Sequence, residues 1–435
     1  MLARGSKSLP HFVALFLFVL IICLRLWTEK GLIFSDPVNS LSITSPAYSS
    51  NLTTAISNTH IEVHSLTTAD KKYFHIKFGQ HAAINANIIP HPVLNDTWII
   101  VAQLRQITVI NIGWNAQLVC DAVFKDNVLE CVDPPLILPI AATASDNCNG
   151  ELGVLRMNVG PHDARVFYGP KAPLALWGSN SQHVCFGQWM QDFRNLVNWA
   201  YVPGMLTDGF RLATEVQRPL PGPYTAIEKN WFIFWDQNEE MYAHYSVAPK
   251  RYFSKLYSNG SAGPDLAPLA ATNDDKCIAK HMPVVGHALE TIHQATNSLS
   301  VTLCRRSDPT CIPNDLNTFI FTIFHWRSFY KLHAVYEPYI MMFQRHAPFA
   351  MHAISQKPIW ISGRGRVGEA STLRPRPDED SEMVYVTSMS WKTQGQKYHG
   401  YIDDVLFLGF GIEDRVTGGI DFVVGDILMD MGLCE

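Results

Sequence analysis

Beyond residue 61 the chain is a succession of short apolar or alternating runs separated by turn residues. Runs at 73–78, 98–101, 107–112, 154–158, 165–168, 174–177, 231–235, 241–247, 299–303, 319–324, 339–343, 383–388 and 405–410 predict β-strands. No helical segment of comparable amphipathicity stands beside them. Two pairs read as hairpins: 165–168 with 174–177 across Gly-Pro-Lys-Ala-Pro, and 230–236 with 241–247 across Gln-Asn-Glu-Glu. Roughly five such groups fit between residues 61 and 413. Many short strands in one large domain imply an all-β sandwich or propeller, and a propeller collects loop residues around one central pocket. No strict repeat period accompanies the pattern.

The amino-terminal pattern differs. Arg4 and Lys7 precede an apolar run from Phe12 to Leu24, which Arg25 interrupts before Leu26 and Trp27. Thr28-Glu29-Lys30 follows with no small-x-small cleavage site, so a retained signal anchor is expected, with the body in the lumen. The expected order is a cytoplasmic tail at 1–10, an anchor at 11–28, a Ser/Thr/Asn-rich stem at 29–60 and a globular domain at 61–435. Asn51, Asn95 and Asn259 begin glycosylation triplets, and outside the anchor the cysteines are even in number: Cys120, Cys131, Cys148, Cys185, Cys277, Cys304, Cys311 and Cys434. Cys304 and Cys311 flank a turn across which they can pair. The address implied is the ER or Golgi membrane, single-pass with the domain luminal.

With 47% hydrophobic residues the 435-residue chain can bury a large core, and its net charge of −5 without a basic run gives nucleic acid no footprint. Three segments carry candidate chemistry. In His162-Asp163-Ala164-Arg165, Asp163 and Arg165 lie on one side of an extended segment, a carboxylate beside a guanidinium; a capped turn with a surface ion pair is the plainer alternative. Glu228-Lys229-Asn230-Trp231 sets charged and amide groups beside an indole, which suits sugar stacking, or else an ordinary turn with a core Trp. His399-Gly400-Tyr401-Ile402-Asp403-Asp404 leads into an apolar strand followed by Glu413-Asp414, and adjacent carboxylates on a strand face opposite ways. His325, His333, Tyr336 and Glu337 form a fourth polar group near strand ends. The acidic triplet Asp378-Glu379-Asp380 follows no apolar strand and reads as a loop, so neither a metal set nor a cofactor is expected.

Taken together, the segments around Asp163, Asn230 and Asp403 resemble those of five-bladed β-propeller enzymes acting on β-mannosides, the β-mannoside phosphorylases and related β-mannosyltransferases, over roughly residues 155–425. The resemblance implies a five-bladed propeller in which Asp163 is the catalytic carboxylate. It also implies that Arg165, Lys229, Asn230 and Asp403 bind substrate; His162, Glu228, Trp231, His325, His399 and Asp404 complete the candidate set. The chain departs from the pattern at His162 and Ala164, where an acidic residue and Pro are usual. A luminal setting favours building glycans over phosphorolysis, so the expected activity is an inverting β-mannosyltransferase using GDP-mannose and a glycan acceptor. A glycoside hydrolase or phosphorylase on the same scaffold would need a second carboxylate such as Asp403 or Glu337. A non-catalytic glycan-binding propeller is the third reading.

Overall fold

The computed structural model describes residues 58–105, 113–157, 159–197, 209–220, 225–330, 333–369, 373 and 380–434. Predicted tail, anchor, most of the stem and the run at 107–112 lie outside them. Among the described residues no helix is long and apolar enough to cross a membrane.

The described residues are all-β. Their pairing resolves into five four-stranded antiparallel meanders, each beginning with one inner strand: β1 (Ala83–Pro90), β2 (His162–Tyr168), β3 (Phe232–Trp235), β4 (Glu290–Thr302) and β5 (Val384–Trp391). β1 continues through Trp98–Leu104, Gln117–Lys125 and Val128–Cys131. The last meander takes its outermost strand from the start of the domain: Phe74–Lys77 pairs with Val416–Val423, joining the two ends of the chain. Such closure leaves fewer open edges. The result is a propeller-like ring.

The inner strands are joined by side chains instead of ladders. Asn87 on β1 donates to Ala164 O (2.8 Å) and accepts from Val166 N (3.1 Å), binding β2. Asn297 on β4 bonds Met389 O and Met389 N of β5, both at 3.0 Å. Ser298 donates to Ile233 O of β3 at 2.7 Å, and Thr387 of β5 donates to Ala86 O of β1 at 2.7 Å. Buried amides and hydroxyls are tolerated here because each finds a partner. Around them pack fully buried aromatics, Phe321 and Trp391 among them, from adjacent meanders.

Most predicted strands are present, several of them longer. The run at 154–158 is corrected: it lies largely in a 3-10 helix, Gly150–Met157, with no buried residue, so its apolar side chains have no sheet to complete. A helix absent from the prediction, α1 (Ala271–His281), buries only Asp274 and Cys277, too narrow a stripe for periodicity to reveal. All eight cysteines expected to pair do so: Cys120–Cys131, Cys148–Cys185, Cys277–Cys434 and the local Cys304–Cys311. Asn95 and Asn259 sit on exposed turns, whereas Asn51 is outside the described residues.

Candidate active site

Every inner strand is distorted or preceded by a distortion near its first residues. The register slips between Ile84 and Asn87 in β1, His162 and Arg165 in β2, Gln294 and Ser298 in β4, and Val386 and Ser388 in β5. Ahead of β3, Asn230 takes a left-handed conformation, φ 61°. Asn85 (φ 60°) and Asp163 (φ 48°) do the same within their bulges, as do Glu413 (φ 50°) and Asp414 (φ 48°) in the turn between the second and third strands of the last meander. Asn and Asp tolerate this region better than most residues, and bulges re-aim the side chains they carry. Several of these displacements occur at one mouth of the ring.

Asp163 is the centre of that mouth. Asn85 donates to its carboxylate at 2.8 Å, while Gln103 accepts from its backbone N–H at 2.8 Å. Arg165, buried, donates through Nη1 to Asp163 O (2.9 Å) and through Nε to Ala295 O (3.1 Å), and also to the Tyr385 hydroxyl. The floor is aromatic: the His325 ring lies 4.8 Å from Tyr385 and 5.5 Å from Tyr336, whose rings are 4.8 Å apart. His325 is fully buried and neither ring nitrogen has a hydrogen-bond partner. Burial, reinforced by His293, Arg165 and Arg364, holds its pKa far below the usual histidine range, so the ring is neutral.

The mouth carries charges of both signs. Asp414 carries a carboxyl whose pKa is raised, by burial first and then by the Asp163 and Glu413 charges. Glu413 is held by Met383 N (2.7 Å) and contacts His333 at 3.3 Å. The Arg327 guanidinium lies 6.0 Å from the Tyr336 ring, and burial together with Arg327 and Lys229 depresses His293 to about 4. Carboxylates and cations gathered at one end of the ring can remove a proton from a hydroxyl and offset developing negative charge. Among the described residues no three His, Cys, Asp or Glu side chains are placed to hold a metal ion.

Of the residues singled out in the sequence, Asp163, Arg165, His325 and Asn230 meet at this mouth, with Lys229 exposed beside them. His162 turns aside, pairing with Asn115 (3.1 Å) and packing on Phe186. Trp231 is 3% exposed and donates to Glu228, which also binds Arg218 at 2.7 Å; together they brace the turn and offer no stacking face. His399 pairs with Ser300 in the sheet, seven residues along β4 from His293, roughly 20 Å away at about 3.3 Å per residue. Asp403 and Asp404 share that far end, bound by Arg306 N (2.7 Å) and the Arg306 guanidinium (2.6 Å). Glu337 is clamped by Arg364 at 3.0 Å and His60 at 3.2 Å. Asp403 thus lies at the other end from Asp163 and Glu337 is held in an ion pair, while the carboxylate on which the Asp163 charge acts is Asp414. Asn85, His293, Arg327 and Tyr385 carried no sequence signal: Asn85 sits in a bulge, which the hydrophobic pattern does not encode, and the other three are brought near by pairing between distant strands.

No protein-family model matches the chain and no curated protein is similar to it. Among solved structures, a glycosyl hydrolase from Bacteroides ovatus is similar at 10% identity over 84% of this chain and 91% of that one, TM-score 0.42. A GDP-Man-dependent mannosyltransferase from Leishmania mexicana is similar at 11% identity over 81% and 88%, TM-score 0.38. An exo-1,5-alpha-L-arabinanase from a bovine ruminal metagenomic library shows 8% identity over 79% and 94%, TM-score 0.37. At these identities and TM-scores the likenesses decide neither substrate nor reaction.

Proposed function

We propose that the protein is a carbohydrate-active enzyme on a five-bladed propeller, transferring a glycosyl group with inversion, with GDP-mannose as donor and a β-mannoside as product. The observation that carries this reading is Asp163: an exposed carboxylate on a left-handed bulge, fixed by Asn85 and Gln103, at the end of the ring where Arg327 and Lys229 act on His293. Asp163 takes the proton of the acceptor hydroxyl as its oxygen bonds to the anomeric carbon. The bond from that carbon to the donor diphosphate breaks, and the cations at that end offset the charge of the leaving group. The setting proposed is the luminal face of an ER or Golgi membrane, for which the apolar run at 12–24, the exposed acceptor triplets and the paired cysteines speak.

Asp414 favours a second reading, glycoside hydrolysis, in which a raised carboxyl acts as acid and Asp163 as base. Assaying the protein against nucleotide sugars with mannoside acceptors, and separately against aryl glycosides, distinguishes them. Transfer that vanishes in Asp163→Asn supports the proposal; aryl-glycoside hydrolysis dependent on both Asp163 and Asp414 supports the second reading. Neither activity, or activity indifferent to Asp163, contradicts both.

A further inference from the structure

Behind the mouth lies a polar chain enclosed in the protein. Asp274 on α1 accepts from Arg251 Nη1 at 2.8 Å, and Arg251 Nε donates to His244 Nε2 at 3.2 Å. An acceptor Nε2 leaves the neutral imidazole proton on Nδ1, which donates to Gln294 Oε1. The Gln294 amide then donates to Asn230 O at 3.0 Å and to His244 O at 3.2 Å. All four side chains are buried: Arg251 5%, His244 0%, Gln294 6% and Asp274 3% exposed.

An apolar core would fill this space at lower cost, since buried ion pairs seldom add net stability. His244 already stacks on Phe232 at 4.5 Å, and Arg251 lies over Phe253 and Phe343 at 4.6 and 4.8 Å, so a phenylalanine at 244 suits the aromatic pile. What the polar chain adds is direction. Arg251 Nη1 also donates to Phe349 O at 2.7 Å, and the chain runs from Arg251 through His244 and Gln294 to the carbonyl of Asn230, the left-handed residue at the mouth. It also pins the start of the β4 bulge, whose next residue, Ala295, presents the carbonyl that accepts from Arg165 Nε.

We propose that Arg251, His244 and Gln294 are positioning residues: a buried relay that sets Asn230 and, through the β4 bulge, Arg165 for the reaction. The assignment rests on the glycosyl-transfer reading for its kinetic consequence and on geometry alone for its structural one. The test compares His244→Phe, which keeps the stack and breaks the relay, with His244→Gln, whose amide can accept from Arg251 and donate to Gln294.

Crystal structures of both variants are the activity-independent arm. The relay predicts that Asn230 leaves its left-handed conformation, or Arg165 parts from Ala295, in His244→Phe, while His244→Gln keeps both. In the transfer assay with GDP-mannose and a mannoside acceptor, kcat falls about 10- to 100-fold in His244→Phe with KM changed less, and His244→Gln stays within about threefold of wild type. Should His244→Phe fail to fold, Gln294→Leu takes its place. A mouth that superimposes on wild type in the broken variant overturns the proposal, as do equal kinetic losses in the Phe and Gln variants. A wild type inactive with every donor removes the glycosyl-transfer reading and leaves the crystallographic arm to decide the relay.

Discussion

Where the inner strands begin, buried polar groups converge without satisfying one another. Both ring nitrogens of His325, Nε of Arg327 and Oδ1 of Asn85 lack partners, and the Asp163 charge acts on the Asp414 carboxyl. Where the strands end, a cavity of about 810 Å³ is lined by a comparable mixture, including Trp235, Arg306, His399 and Asp404. There most groups pair with one another: Arg306 grips Asp404 through Nε (2.8 Å) and Nη2 (2.6 Å), Gln396 and Tyr401 N add two more bonds, and His399 meets Thr302 at 2.8 Å, while Arg345 Nε has only a 3.5 Å contact with Asp315. An unpaired buried donor or acceptor costs about 1–3 kcal/mol, so a ligand that supplies the missing partner gains by binding there. Residue type alone does not separate the two ends; an arginine ion pair holds Asp404, whereas an amide holds Asp163.

The sharpest break between them is Asp163→Asn against Asp404→Asn. Loss of a general base costs about 10²- to 10⁴-fold, so kcat collapses in the first variant, and in the second it stays within a few-fold of wild type when the two are assayed side by side. Next comes Asp414→Asn. If transfer is the reaction, kcat falls by about tenfold or less; a fall matching that of Asp163→Asn, with loss of the alkaline limb of the pH–rate profile, marks Asp414 as an acid and favours hydrolysis.

Sequence carried one half of this contrast. The strand runs and both hairpins were legible because alternation reports which face of a strand is buried, and Asp163-Ala164-Arg165 was legible as a carboxylate beside a guanidinium. Trp231 and Glu228 looked alike functional, yet one is core and the other braces a turn; a polar residue beside an indole carries no mark of burial. His399, Asp403 and Asp404 stand at a strand end as Asp163 does, and only the direction of the chain through the ring tells the ends apart. Asp414 and Asn85 reach the mouth through left-handed turns and bulges, which are local backbone choices without hydrophobic periodicity.

Two smaller effects refine the comparison. His293 at one mouth and His399 at the other are both depressed to about 4, chiefly by burial and then by neighbouring arginines. A depressed folded pKa contributes stability that is complete above the ordinary value of 6.5 and is lost as pH falls toward 4. His293→Gln and His399→Gln should each reduce the loss of melting temperature between pH 6.5 and pH 4 by an amount equivalent to roughly 1 kcal/mol, after discounting for partial exposure. Smallest of all, Arg306→Ala should cost about 0.5–1 kcal/mol in chemical denaturation, since that ion pair is half in solvent.

The central claim, that the mouth around Asp163 is the working end, is tested most directly by hydrogen–deuterium exchange of the protein with and without GDP-mannose. The account predicts slowed exchange in the segments carrying Asn85, Asp163, Arg327 and Asp414, with none at Trp235 or His399. Protection confined to the Trp235 and His399 end, or no protection anywhere at saturating donor, would contradict it.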